Sequence, residues 1–260
     1  KKVNKTTALG GLVAALVLSA CGGGGDDVAP PAPKPPATVV TGVEGLWTGA
    51  TTDPLNVQGV VLENGESWSI LTDAVGAVVG ISQGAVQTSG PDVVSGTGRY
   101  LNVVDEANLA SRTTVAVSYS GKYAVRDSVQ VTDSKGVKFT GTYGVLYEQP
   151  AVVSELLGTY SGTGIGNQVR EPLVSVSIST GGLVSIPSYP GCSIRGTVVP
   201  RASGRNVFDL PLTFSGATCP VGDGVVVQHV VLYNDTTQAI VIMGQSASKA
   251  ETFVYTGQKT

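Results

Sequence analysis

The sequence predicts an all-β protein with two tandem antiparallel units of eight strands each, and three observations carry this prediction. From Val43 onward, apolar residues alternate with small polar ones, valine and threonine are frequent, and turn-forming residues recur about every ten positions. No segment keeps a helical period, and 153–157 allows one helical turn at most. Three short sequence patterns also occur twice, in the same order.

The repeated patterns define two units, each about 110 residues long by the usual logic of internal repeats. Each copy opens, turns and closes with similar residues, at offsets of 113, 117 and 116 positions. Asn-Gly and Gly-Gly supply the positive φ angles that tight hairpins require. The pairs are GLWTG at 45–49 with GTYSG at 158–162, ENGE at 63–66 with TGGL at 180–183, and FTG at 139–141 with YTG at 255–257.

We therefore expect one β-domain over 43–150 and a second over 151–260. In the second, the alternation predicts strands at 156–164, 172–179, 182–187, 192–199, 206–214, 225–233, 238–246 and 251–257. Eight such strands form either a small closed barrel or a sandwich. Because closure removes exposed strand edges, we favour the barrel, with the sandwich as the alternative.

The beginning of the chain predicts an export signal. Three lysines among the first five residues precede an uncharged apolar run, 9–18, which is too short for a bilayer span of about 20 residues. The run ends in Leu18-Ser19-Ala20-Cys21, which resembles the lipobox of bacterial lipoproteins. The resemblance implies a signal peptide over 1–20 and a lipid on the Cys21 thiol. The alternatives are an uncleaved anchor or a buried strand.

The residue after the lipobox cysteine bears on location. Gly22 stands where an aspartate would resemble the inner-membrane retention signal, so we expect the outer membrane of a Gram-negative cell, on its periplasmic or surface-exposed face. Residues 21–42 form a tether rich in glycine and proline, which predicts an extended, disordered spacer rather than a packed segment.

Composition limits the partners. Only 13% of residues are charged and the formal net charge is −3, which argues against nucleic acid and leaves the lipid as the expected link to a membrane. Cys192 and Cys219 remain once Cys21 carries lipid, and an even pair in an exported protein predicts a disulfide. No pattern indicates a cofactor or a metal site.

The opening pattern of each unit carries a second resemblance. Gly45-Leu46-Trp47 is similar to the Gly-x-Trp that begins the first strand of lipocalins and, in related form, of avidins. The resemblance implies that Trp47 plugs the closed end of a barrel and that Tyr160, in Gly158-Thr159-Tyr160, does the same in the second unit. The units are shorter than a typical lipocalin, and the family's later motifs are not evident.

Two short motifs match the residue patterns of hydrolase signatures but lack the sequence context that those signatures require. Residues 80–84 match Gly-x-Ser-x-Gly with Ser82 as the candidate nucleophile, but a strand-like stretch follows where a helix is required. The candidate base, His229, lies in the other unit. Ser246 and Lys249 match Ser-x-x-Lys without a partner motif, so we expect no enzyme activity.

The remaining polar residues favour structural roles. His229 is expected to be a solvent-facing or hydrogen-bonded strand residue, on the face opposite Val230. Metal sites need clustered ligands, and the carboxylates are scattered, with Asp105 and Glu106 adjacent in a loop. The three arginines near the turn at 200–206 predict solvated charges, or a small anion-binding rim; they are Arg195, Arg201 and Arg205.

Together, these observations predict a class of function rather than a specific partner. We expect a non-catalytic, membrane-anchored lipoprotein that serves as a binding or envelope-interaction module. One alternative is a lipocalin-like carrier of a small apolar ligand, which requires a cavity of about 300 Å³ or more inside a barrel. The other is an inhibitor of an envelope or host enzyme, presenting the loop 201–206 to a protein partner.

Overall fold

The computed structural model describes residues 42–104, 112, 114–167, 169–189, 191–219, 221–249 and 251–260, apart from the side chains of 188 and 189. The expected signal peptide, Cys21 and the tether lie outside these residues, as do Asp105 and Glu106. Within the described ranges, no helix has the length and apolar character that a membrane crossing would need.

Eight antiparallel strands close into a first barrel, called barrel 1. Each strand pairs with the next in the chain, and the eighth pairs with the first. The strands are β1 (Gly45–Thr51), β2 (Asn56–Val61), β3 (Glu66–Thr72), β4 (Val78–Ser89), β5 (Val93–Asn102), β6 (Val115–Ala124), β7 (Ser128–Asp133) and β8 (Lys138–Gly144).

A second barrel, barrel 2, follows two short 3-10 turns at Val145–Glu148 and Val153–Leu156. Its strands are β9 (Gly158–Gly166), β10 (Arg170–Ser179), β11 (Leu183–Tyr189), β12 (Cys192–Thr197), β13 (Val199–Pro200), β14 (Val207–Ser215), β15 (Val225–Asn234), β16 (Ala239–Gln245) and β17 (Thr252–Lys259). β12 pairs with β14 and β17 with β9, so eight strands close while β13 adds a two-residue pairing to β14. The all-β prediction is confirmed, with barrels rather than sandwiches.

The repeated sequence patterns mark equivalent places in the two barrels. Each first strand begins at a glycine with positive φ, and each carries another glycine four residues later. That second glycine pairs with a glycine of the last strand, Gly49 with Gly141 and Gly162 with Gly257. A Cβ at Gly49 or Gly162 would collide with the backbone of the last strand, so the strand pair that closes each barrel requires glycine.

The outer faces of the two barrels pack against each other. Strand residues alternate between the barrel interior and the outside, so these strands are apolar on both faces. The shared cluster contains Leu46, Val60, Leu62, Ile70, Ile81 and Leu101 from barrel 1, and Ile165, Val207, Val230, Leu232, Met243 and Val254 from barrel 2. The barrels thus belong to one compact unit.

Ion pairs lie beside this apolar contact and involve two of the three arginines that were expected to be solvated or to bind an anion. Arg201 is only 5% exposed and pairs with Glu63 of barrel 1, at 2.8 Å, and with Asp209. Arg205 pairs with Glu148, which follows barrel 1 in the chain. Because carboxylates already neutralise these two arginines, they form neither solvated turn charges nor an anion-binding rim. Arg195 is exposed.

Candidate functional site

Barrel 1 is hollow. It encloses a cavity of about 310 Å³ that opens at the end formed by the β1–β2 and β7–β8 loops. The wall is mostly aliphatic, with one phenylalanine near the opening: Val57, Leu71, Val117, Val131, Val137 and Phe139. Such a surface suits an apolar molecule, because burying it and the molecule together is favoured by the hydrophobic effect.

Small residues at inward positions create this space. β4 carries Gly80 and Gly84 and β5 carries Gly96 and Gly98 at inward-facing positions, and two of these glycines lie under tyrosine rings of the neighbouring strand. The Tyr100 ring covers Gly80 and the Tyr119 ring covers Gly96, so a Cβ at either glycine would collide with the ring. Each tyrosine therefore lies flat against the wall instead of projecting into the interior.

Trp47 lies at the closed end of the barrel. Its indole N–H donates a 2.9 Å hydrogen bond to the Val43 carbonyl, and its ring meets Tyr143 edge to face at 5.4 Å. Above this layer, the Tyr119 ring of β6 follows the wall, and its hydroxyl lies 3.1 Å from that of Ser67 on β3. Burial raises the pKa of Tyr119, with the Ser67 hydrogen bond acting in the opposite direction.

The open end carries the charged groups of the cavity. Asp53, Asp133 and Lys135 line it, and the Lys135 ammonium lies 5.9 Å from the centre of the Tyr100 ring. Asp133 Oδ1 accepts the backbone N–H groups of Lys135 and Val137 at 2.8 and 2.9 Å, which fixes the β7–β8 turn. Burial and the nearby Asp53 raise the pKa of Tyr100, so its hydroxyl stays protonated.

Barrel 2 is filled by its own side chains. Large inward-facing residues such as Tyr160 and Tyr255 are fully buried, and a cavity near Thr252 and Phe253 measures only about 80 Å³. Tyr160 donates a 2.9 Å hydrogen bond to the Leu156 carbonyl, four residues earlier, as Trp47 does in barrel 1. The two barrels therefore share a closing device but differ in what they enclose.

The predicted disulfide between Cys192 and Cys219 is present. It ties the start of β12 to the β14–β15 loop, at the end of barrel 2 opposite Tyr160. Both half-cystines are buried, and Val221 packs against the same core. The loop is thereby held over this end of barrel 2, whereas no described segment covers the corresponding end of barrel 1.

The hydrolase-like motifs do not assemble into a site. Residues 80–84 lie wholly within β4, so the sharp turn after a nucleophile is missing, and Ser82 faces the interior of barrel 1. His229 is inside barrel 2, 2% exposed, and cannot reach Ser82. Ser246 is held in the β16–β17 turn, where its hydroxyl accepts the Glu251 N–H. Among the described residues, no three possible metal ligands gather.

His229 lies on the face opposite Val230, as expected, and this face is the barrel interior, so the solvent-facing alternative is wrong. Its side chain points into barrel 2 and lies on Gly244, with Nδ1 2.9 Å from the Val227 carbonyl and the ring edge-on to Phe253. Nε2 has no partner among the described residues. Burial lowers the pKa of His229 to about 4, so the side chain is neutral at pH 7.

The comparisons with known proteins found a structural likeness but no matching family. No protein-family model matches the chain, and no curated protein matches it. One solved structure with a similar arrangement is the Aeromonas veronii immune modulator A, with 11% identity and a TM-score of 0.34. The likeness covers 85% of this chain and 96% of that one. At this level it carries no argument about function.

Proposed function

We propose that the protein binds a small, mostly apolar molecule inside barrel 1. The observation that supports this is the cavity of about 310 Å³, which lies within the usual range of ligand sites, roughly 300–1,000 Å³. Its wall is aliphatic and aromatic, and its polar groups are few. In this proposal, the molecule is held without chemical change.

The comparison between the barrels supports the proposal. A small barrel of eight strands can be filled by its side chains, and barrel 2 is. Barrel 1 instead has serine and glycine where larger residues would fill the space. A hollow interior forgoes packing contacts that would stabilise the fold, so its presence favours a role for the space.

The proposal includes attachment to a membrane. We infer from the lipobox that Cys21 carries a lipid and that the tether holds the two barrels at the outer membrane, on its periplasmic or surface-exposed face. Palmitate labelling tests this inference, because labelling should disappear in Cys21→Ala and persist in Ser19→Thr. Persistent labelling of Cys21→Ala would remove the anchor from the proposal.

The inhibitor alternative loses its main support. It required a protruding loop at 201–206, but Arg201 is buried against Glu63 and Pro150 forms a β-bridge with Arg205. The loop packs between the two barrels. No feature of the described residues favours a protein partner for another surface.

A neutral fluorescent probe tests ligand binding. N-phenylnaphthylamine should bind the purified protein saturably, with enhanced emission, and Ser82→Phe should weaken binding roughly tenfold or more, because the new ring occupies the cavity. Thr140→Phe places the same ring on the exposed outer face of β8 and should leave binding unchanged. Circular dichroism is used to check that both variants fold.

The proposal fails if the unaltered protein shows no saturable binding. It also fails if a folded Ser82→Phe binds as tightly as Thr140→Phe, because the probe would then occupy some other surface. Ser69→Leu offers a second cavity-filling variant in case Ser82→Phe does not fold.

A further inference from the structure

Three hydroxyl groups lie side by side on one wall of the barrel 1 cavity. Ser69 on β3 pairs with Ser82 on β4, and Ser82 pairs with Tyr100 on β5. All three residues line the cavity. Residues directly opposite on neighbouring strands have Cβ atoms about 5 Å apart, so these side chains form a continuous row. We call Ser69, Ser82 and Tyr100 the hydroxyl row.

The two serines of this row make no side-chain hydrogen bond within the part of the chain that the structure describes. Ser67 on the same strand is different, because its hydroxyl meets that of Tyr119 at 3.1 Å. Ser69 and Ser82 each present one donor and two acceptor sites to the cavity. The row thus offers hydrogen bonds to whatever occupies the space.

Room alone does not call for a hydroxyl at these positions, because alanine or glycine would leave the space equally open. A pure hydrocarbon would displace water from the serine hydroxyls and leave them unpaired, which is unfavourable. A ligand with an oxygen atom at this depth would replace the water. Sites built to hydrogen-bond a ligand discriminate strongly against analogues that lack the partner atom.

The charges of the cavity favour an uncharged ligand. Those lining it, Asp53, Asp133 and Lys135, all lie at the open end. An ionised group beside Ser69 and Ser82 would therefore lack an opposite charge in an apolar enclosure, which is strongly unfavourable.

We propose that the ligand is a neutral lipophile with a hydrogen-bonding oxygen, such as a ketone, an ester or an alcohol, and that Ser69 and Ser82 bind this oxygen. The inference rests on the proposed function, that barrel 1 holds an apolar molecule. It adds the functional group that the ligand carries and the residues that select it. Tyr100, next in the row, extends the polar surface towards the opening.

The naphthyl ketone dye Prodan tests the inference, because its emission shifts to shorter wavelength when its carbonyl loses hydrogen bonds. Ser69→Ala and Ser82→Ala should each weaken Prodan binding roughly threefold to tenfold, and the double variant more. Emission of the bound dye should shift to shorter wavelength in parallel. Binding of N-phenylnaphthylamine, which has no carbonyl, should change less than twofold. Ser95→Ala, on the exposed face of β5, is the matched control.

Each outcome separates the inference from the proposed function. If the double variant binds both dyes as the unaltered protein does, with the same Prodan emission, the hydroxyl row does not select the ligand and only the inference is overturned. An equal loss of both dyes would also overturn it, because the serines would then act on the shape of the cavity. If neither dye binds the unaltered protein, the proposed function itself fails.

Discussion

In both barrels, an aromatic ring on one strand packs over a glycine of the neighbouring strand. In barrel 1, the pairing of Tyr119 with Gly96 keeps the ring against the wall. In barrel 2, His229 occupies the equivalent relation to Gly244, and the enclosed ring has only one hydrogen-bonded nitrogen. The same local device therefore leaves space in one barrel and buries a titratable group in the other.

The buried histidine should make stability depend on pH. Its pKa is about 4 in the folded protein and about 6.5 in an unfolded chain, so between these values the unfolded state binds more protons. The free energy of unfolding should be highest above pH 6.5 and fall by roughly 3 kcal/mol as the pH decreases to 4. Denaturant titrations of the protein and of His229→Phe at several pH values measure this contribution.

The comparison between those two proteins isolates the histidine, because carboxylates that titrate in the same range are present in both. His229→Phe should lose less stability than the unaltered protein over this pH range. Equal losses would show that His229 does not remain neutral in the folded state.

At the level of elements, the β14–β15 loop distinguishes the ends of the barrels. The Cys192–Cys219 disulfide holds this loop over barrel 2, and Cys219 and Val221 join the core there. In barrel 1, the β7–β8 turn at the matching end has four residues between its strands and carries Lys135 at its tip, and among the described residues the cavity opens beside this turn.

Removing the disulfide should destabilise barrel 2 without affecting the cavity. For a separation of 27 residues, Cys192→Ala/Cys219→Ala should lower the free energy of unfolding by roughly 3–4 kcal/mol. Binding of N-phenylnaphthylamine should persist, because the core cluster that contains both cysteines includes no described residue of barrel 1. Loss of probe binding in a variant that is still folded would show that the state of barrel 2 controls the cavity.

In the whole molecule, the two barrels stabilise each other. Their outer faces share an apolar cluster, and Arg201 joins them through Glu63 and Asp209. Glu63 is 22% exposed and Asp209 30% exposed at the side chain, so water screens these two carboxylates in part.

Breaking this network should destabilise the whole molecule. Arg201→Met removes the charge that both carboxylates face, and we expect a loss of roughly 2–4 kcal/mol, less than for a fully buried pair. Arg195→Met, at an exposed position, should cost less than about 0.5 kcal/mol. Denaturant unfolding compares the two. Adding Glu63→Gln to Arg201→Met should restore part of the loss, and a further decrease instead would argue against charge as the cause.

The sequence by itself determined the all-β class and the eight strands that close each barrel, but not the short extra strand β13. The strand predicted over 225–233 is observed as Val225–Asn234, and that over 192–199 ends earlier because Thr197 is followed by the separate strand β13. Alternation, turn residues and the repeated glycines are features of the local sequence. They therefore predict strands without knowledge of which segments pack together in the fold. The pair of cysteines likewise sufficed for the disulfide. The lipid anchor stays a prediction, because Cys21 lies outside the described residues.

Only the tertiary structure decided what the barrels enclose and how they meet. Alternation tells which residues share a face, but Ser82 and His229 face interiors of opposite character because of what lies across each barrel. The density of serine and glycine on β3 to β5 was the available signal for a hollow, although such residues also suit turns and edges. Likewise, the local sequence around Arg201 predicts a solvated turn charge. Only the fold places Glu63, 138 positions away in the chain, beside it. Contacts between distant segments depend on closure and packing, which no local pattern encodes.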